Sequence, residues 1–348
     1  MNFNEFILSS PRRLGLPISM YPGLAMTGAK VSDIVTRAEA QLEAQQALRE
    51  RYNSQFVLTA MDLSVEAEAF GCTIALSDSE VPTVTARLVT SLEQADRLAV
   101  PRPGRGRTKV YLEAVRLLRR MSGEPFVFAG CIGPFSLTAR LVEVSEAMEL
   151  TIAEPELMHI LLAKSTQFLT EYIRAFRAAG AQGVIMAEPA AGLLSPRGLA
   201  TFSSAYIRRV VAEVGCGEFS IVLHNCAAKL LHLPAILETG LKAFHFGAPM
   251  DIVGALEKVG PDVVVCGNLD PASVFVNQPP TEVSAQAARL LAATAAHRNF
   301  VLSSGCDLPP NTPLGSLDAF YLALKTAGQR QQPAISATKQ SQANSTFL

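Results

Sequence analysis

His224 and Cys226, in the run LHNCAAK at 223–229, are of the types and spacing that bind metals. An apolar stretch, FSIVL at 219–223, leads into them. In extended chain, residues i and i+2 face the same side, so both side chains can address one target. Two donors do not make a site. A third soft donor is available from Cys306 in SSGCDLPPNTP or from Cys266 in VVVCGNLDP. Spacing alone leaves both open, and Cys266 and Cys131, each closing an apolar run, also suit a buried core. His245, in AFHFG, ends another strand-like run. A His–Cys–Cys set suits a borderline divalent ion. Zn²⁺ fits best, and three protein ligands leave its fourth position open.

The elements that must carry these residues alternate between short apolar runs and longer helical patterns. Strands are expected at 17–21, 56–61, 126–131, 183–188, 220–226, 242–246, 262–267 and 300–304. Most are continuously apolar, the mark of parallel strands covered on both faces. Helices are expected at 32–52, 110–121, 155–179, 196–214, 227–238, 250–259, 280–296 and 317–327. Eight strand–helix repeats imply an α/β fold of the (β/α)8 TIM-barrel kind. No Gly-rich phosphate turn follows the first strand, which disfavours an open doubly wound sheet. Insertions are expected after the second and third strands, at 62–109 and 132–154. The barrel is read as one domain over 1–327, with a polar, flexible tail at 328–348. On this fold, strands five and eight bring His224, Cys226 and Cys306 to the same mouth.

The 348 residues are 49% hydrophobic and 18% charged, which suits a large core. The net charge of −1 gives no electrostatic footprint for nucleic acid or an anionic membrane. Arg102, Arg105, Arg107 and Lys109 form a local basic cluster among Pro and Gly, read as a solvated loop, with an anion-handling lid as the alternative. No apolar run reaches 18 residues, so no membrane span is expected. The first residues show no basic region followed by an apolar one, so no secretory leader is expected. Six scattered cysteines do not suggest a disulfide framework, and a reducing cytoplasm is the expected setting.

TGAK, MDLSVEAEAFGC, MAEPAAGLLSP, LHNCAAK, VVVCGNLDP and SSGCDLPPNTPLGSLDAF occur in this order between about residue 15 and about residue 327. In this the sequence resembles the uroporphyrinogen decarboxylase superfamily, and most of all its methylcobamide:coenzyme M methyltransferase branch. The resemblance implies a barrel whose zinc motif is His-x-Cys followed much later by a Gly-Cys turn, matched here by His224, Cys226 and Cys306. It implies a corrinoid supplied by a partner protein and a small thiol substrate, such as coenzyme M. Zinc keeps a bound thiol deprotonated at neutral pH, ready to accept a methyl group. The decarboxylase branch carries an Arg-x-Ala-Gly-Arg-Tyr motif and needs no metal, whereas PISMYPGLAMTG at 17–28 has no arginine. A metal-free decarboxylase, a corrinoid-dependent O-demethylase of the same superfamily and a non-catalytic corrinoid- or zinc-binding protein are the rival readings.

Beside this resemblance, Glu188 in IMAEPAAG is the expected catalytic carboxylate, as acceptor of the thiol proton or as a fourth ligand that substrate displaces. Anchoring a loop is its plainer role. Asp62, Glu66 and Glu68 are expected mainly to cap a loop. Gly133 in GPFS and Gly247 in GAPM are expected to let the flat corrinoid approach, although glycines there also serve turn geometry alone.

Overall fold

The computed structural model describes residues 1–215 and 217–327. Cys216 and the expected tail at 328–348 lie outside the described residues. Among the described residues, nine strands occur in chain order: β1 (Phe56–Leu58), β2 (Ile74–Ala75), β3 (Thr83–Val84), β4 (Phe126–Ile132), β5 (Gly183–Ala187), β6 (Ser220–Asn225), β7 (Ala243–Phe246), β8 (Val264–Leu269) and β9 (Phe300–Ser304). Seven of them form one curled parallel sheet in the order β1-β4-β5-β6-β7-β8-β9, and β2 and β3 make a separate antiparallel pair. Their apolar runs are buried on both faces, as continuous hydrophobicity predicts.

The expected strand at 17–21 is not one. Backbone pairing there is reduced to a bridge between Gly15 and Leu302 on β9. Pro17 has no N–H to give a ladder, and Tyr21–Gly23 turns into a 3₁₀ helix. Leu308 N donates to the Ile18 carbonyl at 2.9 Å, and side chains satisfy further backbone groups. Ser304 Oγ accepts from Ile18 N at 3.0 Å. The Gln45 amide donates to Ser19 O at 2.9 Å and accepts from Leu58 N on β1 at 3.1 Å. The extended 14–20 segment is thereby held to both edges of the sheet.

Two apolar clusters result. Leu16, Ile18, Leu58, Phe128, Ile185, Val222, Val264 and Val301 belong to an interior one, which takes alternate residues from successive strands. The larger cluster lies between the sheet and the outer helices. The helix Phe3–Ser9, which sequence reading did not anticipate, stoppers the interior at the strand starts. The Phe3 ring meets Phe56, Phe126 and Phe128 edge-on at 5.2–6.0 Å, and its amide donates to Ser220 Oγ at 2.9 Å.

The helix Pro155–Ala179 has its expected bounds and ends at Gly180, whose φ of 107° is the left-handed cap that glycine permits. The expected helix at 32–52 is two, Val31–Thr36 and Ala38–Tyr52, separated by extended Arg37. Gln41 Nε2 donates to the Ile34 carbonyl there, satisfying a helix-end acceptor. The 62–109 stretch contains the helices Val65–Phe70 and Leu92–Arg97 and the β2–β3 pair, and 132–154 contains the helices Pro134–Val142 and Val144–Ala153. Among the described residues, no helix is long and apolar enough to cross a membrane.

Candidate metal centre

Strand periodicity places the site one layer above the apolar interior. Val222, Ala243 and Val301 point inward, so His224, His245 and Ser303, two residues on, do the same. Register aligns His224 beside His245. Cys226 stands just past the end of β6, and Cys306 just past β9. One donor atom from each of His224, Cys226 and Cys306 lies within 4.8 Å of the others. His224 Nε2 is 3.4 Å from Cys306 Sγ.

The loops that hold these donors are packed too closely for ordinary side chains. A Cβ on Gly247 would lie 2.0 Å from the Cys226 carbonyl oxygen, and one on Gly305 would lie 2.9 Å from Ala248 N. Asn268 Nδ2 donates to the Gly247 and Met250 carbonyls at 3.0 and 2.7 Å, tying the loop after β7 to β8.

A hydrogen bond with Cys306 lowers the Cys226 pKa. The same hydrogen bond, with burial, pushes the Cys306 thiol up to about 12. Cys266 and Cys131 take no part. Cys266 is fully buried in the interior cluster and Cys131 faces the outer helices, and burial raises both thiols. Spacing leaves Cys266 and Cys306 open as the third donor, and the geometry groups Cys306 with His224 and Cys226.

This donor set fits zinc. Zn–S and Zn–N bonds of about 2.3 and 2.0 Å give tetrahedral edges of roughly 3.5 Å, and the His224–Cys306 separation is of that size. The close approach of two thiol sulfurs is also what a thiolate-binding cation would exploit.

Glu188 is not in this group. Its carboxylate accepts from Phe135 N and Ser136 N at 2.9 and 2.8 Å and from Ser203 Oγ at 2.9 Å. It therefore sits on the N-terminus of the helix Pro134–Val142, where a carboxylate complements the exposed amides. Burial raises its pKa against the lowering effect of these donors. A Cβ on Gly133 would lie 2.5 Å from Glu188 Oε2. The missing side chains of Gly133 and Gly247 thus make room for the protein's own atoms.

Arg107 is buried, contrary to the solvated loop expected for its cluster. It pairs with Asp62, donates to Ser64 Oγ at 2.9 Å and to Glu68 at 2.6 Å. Asp62 also accepts from Ser64 N and Oγ at 2.9 and 2.6 Å. Burial lifts the neighbouring Glu66 to about 8. Glu66 Oε2, Tyr21 Oη, Asn225 Oδ1 and Asp307 Oδ1 are buried atoms without a hydrogen-bond partner. Sequence reading noted His245 only as a strand end and passed over Ser303 and Asp307. The period-two match of His245 to its strand was the one available signal.

A parallel α/β sheet with such a rim is widespread among enzymes, and the residues matched narrow the class. The chain belongs to the uroporphyrinogen decarboxylase (URO-D) family, whose profile it matches over residues 10–327, and is an enzyme of that superfamily. Its relatives fall in both branches. It is 26% identical over 329 residues to the uroporphyrinogen decarboxylase of Psychromonas ingrahamii, covering 89% of this chain and 90% of that one. It is 27% identical over 265 residues to the methylcobamide:CoM methyltransferase MtbA of Methanosarcina acetivorans, covering 75% and 76%. A solved methyltransferase from Methanosarcina mazei shares the fold with a TM-score of 0.82 at 24% identity, over 92% of this chain and 96% of that one. The MtbA relative fits the methyltransferase branch that the sequence motifs resemble, and the decarboxylase relative fits the other branch.

Proposed function

We propose that this protein is a zinc-dependent methyltransferase that moves a methyl group between a partner-bound corrinoid and a small thiol such as coenzyme M. The observation that carries the reading is the convergence of His224, Cys226 and Cys306 within one coordination sphere's reach. His224 Nε2 and the two sulfurs would hold the ion. Bound there, zinc would supply a deprotonated, still nucleophilic substrate thiol at neutral pH. Two thiolate ligands offset its charge, which keeps electron density on the substrate sulfur.

The remaining residues act on placement. Glu188 fixes the helix Pro134–Val142 beside the metal strand, since its own backbone N–H also donates to the His224 carbonyl at 2.8 Å. Its carboxylate is committed to three donors, which favours loop anchoring over proton transfer. Gly133 and Gly247 serve the corrinoid indirectly, by letting Glu188 and the Cys226 loop pack closely. The 14–20 segment acts as the eighth stave of a (β/α)8 barrel, and the described chain is one catalytic domain. A cytoplasmic setting suits free thiols that must stay reduced.

Metal-free decarboxylation is the less supported alternative. No arginine lies in 17–28, and Arg107 is already paired with Asp62. Metal analysis and a thiol screen against methylcob(III)alamin test the proposal. About one zinc per chain and thiol-dependent appearance of cob(I)alamin are expected, with both lost in His224→Ala and Cys306→Ala. Native protein without zinc, or Cys306→Ala that keeps full zinc, rejects the ligand set.

A further inference from the structure

Behind His224 runs a buried hydrogen-bond chain whose direction can be read from its far end. Ser303 Oγ donates to the Leu16 carbonyl, which cannot donate in return. His245 Nε2 lies 2.7 Å from Ser303 Oγ. With the serine proton spent on Leu16, this contact requires His245 Nε2–H as the donor. In a neutral imidazole the other nitrogen is then an acceptor. His245 Nδ1 lies 2.8 Å from His224 Nδ1, so His224 must carry its proton on Nδ1. Its Nε2 is left as a bare lone pair, and that is the atom 3.4 Å from Cys306 Sγ. His224, His245 and Ser303 are each at most 2% exposed, so water does not compete for these bonds.

We propose that Ser303 and His245 are positioning residues that lock His224 in the Nδ1–H tautomer and aim its Nε2 lone pair at the metal position before any ion arrives. The chain is anchored on the backbone of the 14–20 segment. The segment that ties the sheet edges together therefore also sets the protonation pattern of a ligand on the far side of the interior. Outer partners of this kind fix ring orientation and tautomer in metal sites, and losing them costs about 10–100-fold in metal affinity. The functional part of the proposal rests on His224 being a zinc ligand, whereas the tautomer itself does not.

Nitrogen-15 NMR of histidine-labelled, metal-free protein tests the tautomer. The chain has five histidines. His232 is an internal standard, because its Nδ1 accepts from Lys229 N at 3.0 Å, leaving Nε2 to donate to Leu194 O. His224 is expected as Nδ1–H, and His245 and His232 as Nε2–H. An Nε2–H signal for His224 overturns the proposal. Zinc competition against a chromophoric chelator tests the consequence. His245→Phe is expected to weaken zinc 10–100-fold. His245→Gln, whose amide can accept from His224 while donating to Ser303, is expected to stay within about threefold of the native protein. Equal losses in the two variants, or none in either, overturn the positioning role. If His245→Phe fails to fold, the native spectrum and His245→Gln still decide. A native protein that shows the expected tautomers but binds no zinc rejects the zinc reading and leaves the hydrogen-bond chain standing.

Discussion

The rim around His224 and the rim around Asp62 are equally buried, yet they treat their polar atoms in opposite ways. Near Asp62, charge meets charge. Arg107 takes up Asp62, Ser64 and Glu68, and both oxygens of Asp62 are occupied. Near His224 imidazole meets imidazole and sulfur meets sulfur. Two imidazoles share a proton, and a His224 lone pair faces the paired sulfurs. The first region, the Arg107–Asp62 cluster, is internally complete, although Glu66 Oε2 and Tyr21 Oη beside it are not paired, so its energy goes into holding structure. The second keeps donor atoms in reserve for a ligand. Chemical capability here follows unused valence rather than the density of ionisable groups.

The largest effect that would sharpen this contrast is expected from Arg107→Ala. It would strand Asp62, whose side chain is fully buried, as an unpaired charge. Removing one partner of a buried pair typically costs about 3–5 kcal/mol. Thermal and denaturant unfolding should record that loss, while any variant protein that folds should bind zinc at native stoichiometry. Loss of zinc together with stability would show that the two regions are coupled and not separate.

This contrast explains what could be read from sequence. Seven strands were legible because burial on both faces makes each run continuously apolar, with β4 the longest example. The 14–20 segment was legible as extended chain but not as a non-strand. Its pairing depends on Gln45, which no local pattern around Pro17 announces. The helix Phe3–Ser9 was missed because seven residues with two buried side chains carry too weak a period. His-x-Cys was legible through its spacing. Choosing Cys306 over Cys266 required the register of β8 against β9, which lifts one cysteine to the rim and leaves the other in the interior. Arg107 was misread because PRPGRGR looks like solvated loop, and its partner Asp62 lies 45 positions away.

Glu66 offers a second, smaller test on the charged side. Burial raises its carboxyl to about 8 from an ordinary 4.5. Between those values the folded protein holds a proton that the unfolded chain has released. Stability should therefore be greatest below pH 4.5 as far as this group is concerned, and should fall as pH rises toward 8. At about 1.4 kcal/mol per unit, the loss by pH 7 is roughly 3 kcal/mol. Glu66→Gln keeps an oxygen for the Ile132 amide, 3.0 Å away, and should flatten this slope. Denaturant melts from pH 5 to 8 would measure it, and an unchanged slope would mean that Glu66 is ionised in the folded protein.

Glu188 stands between the two regions, and the smallest expected effect decides which it belongs to. Its oxygens are held by Phe135 N, Ser136 N and Ser203 Oγ, as a completed cluster requires. In Glu188→Gln the amide nitrogen would face one of the two backbone donors, and that donor would lose its acceptor. The cost of an unsatisfied buried group is about 1–3 kcal/mol. Zinc content should be unchanged, because no donor atom of the metal group is altered. A fourth-ligand role predicts the reverse, with weaker zinc and native stability. Measuring the unfolding midpoint and the metal content of the same preparation separates the two, since each role moves one quantity and spares the other.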